Sequence, residues 1–585
     1  MLNQKSIAVL PFTNISTDPE NRYFADGMTD EIINALCKIK GLKVTSRTSS
    51  FAYRDHSTDV RFIGNELGVS TILEGSVRNQ GNRVRISAQL IRTDTGFQLW
   101  AERFDRELSD IFELQDEISR IIADRIRENF GHLEVGDQLV TTRTASPKAY
   151  NSYLQGRYYQ FQWTQKGLQK ALQAYKASIA ADPDYPMPYL GLCQCFVYLS
   201  AWNFSDRMKG MYMAHHFLSK LGPEHEHIPE YHYTKGMFHF WGKWEFETAA
   251  QYFLKTLSLN PNNSDAMQSL ASLYYVTGNF KEAHSFIDRA FALNPNSTTN
   301  HYTKATTYYL EKNYKAAIQS LDKCPELENE WTMTSQLKAI CLLLLNEENL
   351  FRHLVSGFDE IERQKFQHLW HQFYNTAETI SLKLIDRTDH HLPIETYILL
   401  YEGKQDECLA HLQRAIQNRS GSHIHFLSDP LLEPIKHNPA YQELCHATFP
   451  QTEISHEEQE NEDKSNSLLD ANELKHFEAA LRQAMNNDKV YLAPDITLRS
   501  LAERIDLHPN KLSWLLNDHL SMNFNDYINS YRLEAFQQRA LDPANKNYTL
   551  LGLAFESGFN SKSAFNDYFK KKTGLTPRAW LKQNR

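Results

Sequence analysis

Hydrophobic and polar positions change rhythm along this 585-residue chain, and the changes divide it. Over residues 1–130 the pattern predicts mixed α/β structure. "SIAVLPF" is a short β-prone run closed by Asn14 and Pro19, and "DGMTDEIINAL" puts Met28, Ile32, Ile33 and Leu36 on one helical face. Val84, Ile86, Ala88 and Leu90 then alternate with Arg83, Arg85, Ser87 and Gln89, with "NQGN" and "TDTG" as turns. That spacing predicts an antiparallel meander with one solvated face, closed by a helix from about 110 to 129.

Residues 146–445 read as helical and repetitive. Phe246, Phe280 and Tyr314 recur every 34 residues, as do Ala249, Ala283 and Ala317, and Leu259-Asn260-Pro261 returns as Leu293-Asn294-Pro295. The unit 264–297 resembles the tetratricopeptide repeat, in which small residues let paired helices pack closely and a proline ends the second helix. A displaced copy lies at Leu168, Ala171 and Pro183, and beyond about 325 only generic helix pairs remain. Tyr275, Tyr302 and Tyr309 fall off the small-residue positions and could either line a groove for a peptide or protein partner or pack in the core.

Residues 450–470 are too polar to bury a core and read as a flexible acidic linker. From 472 to 585 the pattern is helical, and one motif occurs twice. In 497–520, Leu498, Leu501, Ala502 and Ile505 form a stripe, Asp506 turns the chain, Leu507 plugs the turn, and Leu512, Leu515 and Leu516 point inward. In 549–572, Leu550, Leu553 and Ala554 form the stripe, Gly558 turns, Phe559 plugs, Ser561 caps the next helix, and Phe565, Tyr568 and Phe569 point inward. Both are helix-turn-helix patterns, joined by an amphipathic helix over 524–541.

"LHPNKLSWLLND", "YINSYRLEA" and "SGFNSKSAFNDYFKKKTGLTP" occur in the order and spacing of the AraC/XylS-type DNA-binding domain, which the segment resembles. The resemblance implies two helices reading neighbouring major-groove segments of promoter DNA. By position, the exposed readers of the first are Asn510, Lys511, Ser513, Trp514 and Asn517; those of the second are Lys562, Ser563, Asn566 and Asp567, beginning at Ser561. Lysine can donate to guanine and asparagine can pair with adenine. Asp567 departs from the arginine often found there and could either accept from cytosine N4 or soften phosphate contact; Trp514 often stands where a polar residue does and could be partly core. Lys570, Lys571, Lys572 and Arg578 would attract phosphates without reading sequence. The N-terminal motifs "YFADGMTDEI", "ELGVSTILEGSVR" and "TGFQLWAERFDREL" resemble the TolB-amino-terminal-like module, which implies a sensory or docking role.

Charge sharpens the division. The net charge is −9, yet residues 453–478 hold nine acidic and two basic residues, whereas 481–585 hold fifteen Lys/Arg and ten Asp/Glu. A basic end on an acidic body is the asymmetry of a chain in which one module meets a polyanion. The acid-rich 453–463 stretch could also cover the lysine-rich helix. Seven scattered cysteines fit free thiols in a reducing cytoplasm, and the run 339–345 is too short to cross a bilayer, so no membrane contact is expected. His215, His216, His225, His227, His232 and His239 lack paired ligand spacing and read as surface or groove residues, so no metal and no cofactor is expected. Asp26 and Asp30 flank a helix start and read as caps.

The fold class expected is thus multidomain α/β plus all-α: an N-terminal α/β module, a tetratricopeptide-type helical repeat array and a C-terminal tandem helix-turn-helix domain. The function expected is that of a cytoplasmic transcription regulator on double-stranded promoter DNA, with the module and repeats sensing a partner or ligand and a possible contact to the transcription machinery. With no nucleophile–base constellation over 5–130, the chain is not expected to be an enzyme. The alternative is a repeat scaffold whose DNA binding is vestigial.

Overall fold

A computed structural model of the chain describes residues 5–16, 22–54, 58–80, 83–136, 138–140, 143–324, 332–375, 391–449 and 468–584. The acid-rich 453–463 stretch lies outside the described residues.

The N-terminal strand Ser6–Val9 runs parallel to Lys43–Val44 on one side and to Thr71–Gln80 on the other. Thr71–Gln80, Arg83–Arg92 and Gln98–Glu107 then form the antiparallel meander. The alternation predicted for Arg83–Arg92 holds: Val84, Ile86, Ala88 and Leu90 are buried while Arg83, Arg85, Ser87 and Gln89 are not. Two helices, Arg22–Cys37 and Ile111–Phe130, share a core with the buried face of this sheet. That core continues without a break into Tyr150, Tyr153 and Tyr175 of the next helices, so the module and the start of the array are one hydrophobic unit.

The array is built of paired helices, with Phe246–Leu259, Ser264–Val276, Phe280–Leu293 and Thr298–Leu310 at its regular centre. Ala249, Ala283 and Ala317 are fully buried, as the 34-residue recurrence predicts for positions where helices cross closely. In the displaced copy the equivalent Ala171 is likewise fully buried, and in the helix before it an added Cβ at Gly156 would lie 2.4 Å from the ring of Tyr175. Past the regular repeats, helix pairs continue, and the chain then folds back. Arg419 donates from Nε to the Lys243 carbonyl (3.2 Å), Asn203 donates to Ser420 (3.3 Å), and Phe449 stacks on Phe246.

This return decides between groove and core for the repeat tyrosines. Tyr309 is 1% exposed and donates to Asp429 Oδ1 (2.7 Å); Tyr397 donates to the other oxygen of the same carboxylate (2.5 Å). Tyr275 is buried and Tyr302 packs against the same core. The returning segment brings Phe426, Leu431 and Leu432 into that core, so these tyrosines face the chain's own interior.

The Leu-Asn-Pro turns do more than end helices. Asn262 donates to the carbonyls of Leu42 (2.8 Å) and Cys37 (3.2 Å). One repeat later, the Leu293 carbonyl accepts from Ser46 N, Asn294 accepts from Ser49 Oγ (2.7 Å), and Asn296 N donates to Ser49 Oγ (2.8 Å). Equivalent turns of successive repeats therefore hold the N-terminal module.

Asp26 and Asp30 are not caps. Both lie inside Arg22–Cys37, buried and ion-paired: Asp26 to Arg54 (2.7 Å), Asp30 to Arg157 of the array (2.6 Å) and, at 3.8 Å, to Arg47. Arg47 lies over the rings of Phe51 and Phe161. Carboxylates this far from water need such partners, and three arginines from separate segments supply them. Next to them, Glu31 keeps a buried Oε1 with no hydrogen-bond partner. Burial, helped by the Asp30 charge, raises its pKa from 4.5 to about 7. A carboxyl whose folded pKa is raised binds its proton more tightly in the fold, so its stabilising effect is present in acid and lost as pH rises from about 4.5 to about 7. Glu31→Gln, which keeps the neutral shape, should raise the unfolding temperature at pH 8 and leave it unchanged at pH 4.5. The gain is bounded at about 3 kcal/mol, and thermal melts at the two pH values check it.

Candidate DNA-reading surface

The two halves of the C-terminal region have separate cores. Leu498, Leu501, Ala502, Leu507, Leu512, Leu515 and Leu516 pack in one; Leu553, Ala554, Phe559, Phe565, Tyr568 and Phe569 pack in the other. Phe524–Leu541 contributes residues to both, Phe524, Tyr527 and Ile528 to the first and Leu533, Phe536 and Ala540 to the second. It joins the two halves and is anchored in both. Buried Arg532 on this helix donates to the carbonyls of Tyr491 and Ala493 (both 2.7 Å) and locks the first half against it.

The two turns use different backbone chemistry. Asp506 adopts φ 52°, a left-handed conformation that aspartate tolerates, and Gly558 adopts φ 95°. Glycine is required at 558, since a Cβ there would lie 2.3 Å from the Tyr491 carbonyl oxygen. Ser561 caps the second reading helix, Lys562–Thr573, by accepting from Ala564 N (3.2 Å). Lys562, Ser563 and Asp567 are exposed and Asn566 is half-buried. Lys570, Lys571 and Lys572 occupy the last turn and, like Arg578, face solvent; there they also complement the helix dipole. Lys571 reaches Asp526 at 3.4 Å.

The first reading helix, Pro509–Trp514 continued by a π-helical turn Leu515–His519, is in a different state. Asn510 accepts from Arg127 Nη1 (2.8 Å) and makes two longer bonds to the backbone of Val135 (3.4 and 3.3 Å). Lys511 is paired with Glu473 (3.1 Å), and Asn517 donates to the Ser513 carbonyl (2.8 Å) near Gly131. Ser513, expected to be exposed, is fully buried, and Trp514 packs partly against the core. Asn510, Ser513 and Asn517 lie on one stripe of the helix, and that stripe meets the N-terminal module.

Further bonds cross the same seam. Leu498 N donates to Glu128 (2.8 Å), Arg499 pairs with Asp124 (3.2 Å), and Asn525 donates to Asn129 (2.9 Å). All three module residues sit near the end of Ile111–Phe130. Glu128 is buried between Arg125 and the Leu498 amide, and burial pushes its pKa up against those partners. One signal in the sequence was available: Asp124, Glu128 and Asn129 are polar residues in the last turns of an amphipathic helix. What they pair with is some 370 residues away.

The C-terminal segment is a helix-turn-helix domain of the AraC type: residues 501–583 match the family described as "Helix-turn-helix domain". Residues 3–121 match "HilA/YgeH-like transcriptional regulator, second domain", and residues 243–324 match "Anaphase-promoting complex, cyclosome, subunit 3". The chain is thus a transcription-regulator type of protein with tetratricopeptide-like repeats. Among solved structures, the pilF protein of Pseudomonas aeruginosa is similar at 16% identity and TM-score 0.29, covering 38% of this chain and 96% of that one. The TPR domain of P58(IPK) is similar at 11% identity and TM-score 0.18, covering 73% and 99%.

A curated relative, "Putative adenylate cyclase 3" of Rhizobium meliloti (strain 1021), is 37% identical over 243 residues. The match covers 40% of this chain and 40% of that relative's length. It overturns the expectation that the chain is not an enzyme, although a match of this extent points only weakly to an activity. Among the described residues no group of three or more His, Cys, Asp or Glu is arranged to hold a metal ion, and no helix is long and apolar enough to cross a membrane. Of the histidines read as surface or groove residues, His232 is instead buried and bonded to the Glu226 carbonyl at 2.8 Å.

The seam should be loosened by Asp124→Asn combined with Glu128→Gln, which removes two carboxylate anchors. Hydrogen exchange of the backbone amides over 498–517 is expected to accelerate, with the 562–573 helix unaffected. Equal exchange in variant and parent would show that the seam does not protect the first reading helix in solution.

Proposed function

We propose that this chain is a cytoplasmic, sequence-specific transcription regulator that reads promoter DNA with both C-terminal helices, and that its N-terminal module restrains the first of them. The observation that carries this reading is the asymmetry of the two helices. One presents Lys562, Ser563 and Asp567 to solvent, with Asn566 half-buried among them and lysines beyond. The other has Asn510 bonded to Arg127 and Ser513 buried. Base readers must be free to meet base edges, so binding by both helices requires the module to let go. The likeness of the N-terminal region to a TolB-amino-terminal-like module supports a sensory role for it, and the repeats would present a surface to a protein partner.

Selection of bound fragments from the organism's own DNA, followed by footprinting, tests this reading. Two adjacent protected major-groove segments are expected, and equal affinity for selected and random fragments would overturn it. The masking itself favours a second reading, a repeat scaffold with vestigial DNA binding, which absence of any gel shift with promoter fragments would support.

Within the proposed interface, Lys562→Ala and Asn566→Ala should each weaken specific binding by about 1–3 kcal/mol and relax the preferred sequence. Equal loss on random DNA would remove either residue from the list of base readers. Replacing Lys570, Lys571 and Lys572 together with glutamine should instead weaken both kinds of binding and flatten the salt dependence. A salt slope identical to the parent's would assign these lysines to the helix dipole alone.

A further inference from the structure

Beside Asn510 the seam opens into a narrow cleft lined by Arg120, Arg127, Arg499 and His508, with the backbone of Val135 and Gly136 along one wall. Its guanidiniums come from both sides: Arg120 and Arg127 from the module's Ile111–Phe130 helix, Arg499 from the helix-turn-helix region, where His508 accepts from Asn510 N at Nδ1.

The carboxylates nearby do not balance them. Asp116 pairs with Arg120 (2.9 Å) but also accepts from the backbone amides of Leu139 and Val140. Asp124 is shared by two guanidiniums, Arg127 at 2.7 Å and Arg499 at 3.2 Å. Glu128, the next acid along, is taken by Arg125 and the Leu498 amide. Three arginines therefore line the cleft against two carboxylates. Arg127 is 1% exposed, and its Nε has no hydrogen-bond partner. A guanidinium this buried, with an N–H unused and its carboxylate shared, gains from an anion that completes its hydrogen bonds, while Arg120 and Arg499 keep 35% and 43% of their side chains exposed. Guanidinium forks match the oxygens of a phosphoryl group.

We propose that this cleft is a binding site for a small phosphate dianion, either orthophosphate or the phosphoryl end of a monoester. Because its walls belong to the two sides of the seam, the anion binds only when they are together. Occupancy therefore stabilises the arrangement in which Asn510 and Ser513 are covered. The consequence for DNA rests on the function proposed above: phosphate acts as a co-repressor of reading by the first helix.

The full-length chain would be titrated calorimetrically with inorganic phosphate and, separately, with glycerol 3-phosphate, at fixed ionic strength against chloride. Saturable binding of one equivalent is expected, weakened about tenfold or more by Arg120→Gln and by Arg499→Gln, each of which removes a guanidinium from one wall. Binding of orthophosphate but not of the monoester assigns the site to the free ion; binding of both assigns it to the phosphoryl group. Phosphate should also slow amide exchange over 510–517 in the parent and not in the two variants. No saturable binding, binding untouched in both variants, or binding without any change in that exchange would each overturn the proposal. These readouts need no DNA, so a chain that binds phosphate this way yet fails to shift any promoter fragment would keep the site and lose the DNA-reading function.

Discussion

One guanidinium that cannot be left in the interior alone organises the junction between the N-terminal module and the helix-turn-helix region. Arg127 sits two turns or less from the end of a long amphipathic helix whose apolar face belongs to the module's core. Its position is thus fixed by packing before its charge is considered, and the charge must then find partners. It finds Asp124 on its own helix and Asn510 on the first reading helix. The neutral amide is an unusual choice, since a carboxylate would neutralise the charge more fully. An amide makes the contact specific in geometry but weak enough to exchange for another partner, which suits a surface that has to be exposed part of the time.

The two reading helices are therefore not equivalent copies. The second is a continuous helix with its own core, capped by Ser561 and stopped by Gly574 in a left-handed conformation. The first is short and passes into a π-helical turn at Leu515–His519, a distortion that shifts the following side chains around the axis. The Phe524–Leu541 spacer is anchored in both cores, so movement of the first reader relative to the module need not disturb the second.

Local chemistry was legible in the sequence and long-range pairing was not. The turn residues Asp506 and Gly558, the plugs Leu507 and Phe559, the inward faces of both second helices and the alternation of Arg83–Arg92 follow from rules that operate over a few residues. So do the fully buried alanines of the repeats. Asn510 illustrates the limit: it is polar, on a helix face read as exposed, yet it bonds to Arg127, 383 residues away. Asp26 and Asp30 failed for the same reason, since Arg54, Arg47 and Arg157 approach from segments no spacing rule connects. Of the two readings of the repeat tyrosines, Tyr309 takes the core one because the chain's own return brings Asp429 to its hydroxyl.

The asparagine-bearing turns that hold the module have a consequence for how such a chain can change by duplication. A repeat array tolerates gain or loss of a 34-residue unit in its packing, because each unit contacts mainly its neighbours. Here, however, the turns at 260–263 and 293–297 are also a berth, spaced to meet Leu42 on one side and Ser46 and Ser49 on the other. A unit inserted between them would separate two halves of one binding surface, while a unit added beyond residue 297 would leave it whole. The array is modular in construction but indexed in use, with one inter-repeat step that recombination has to leave intact.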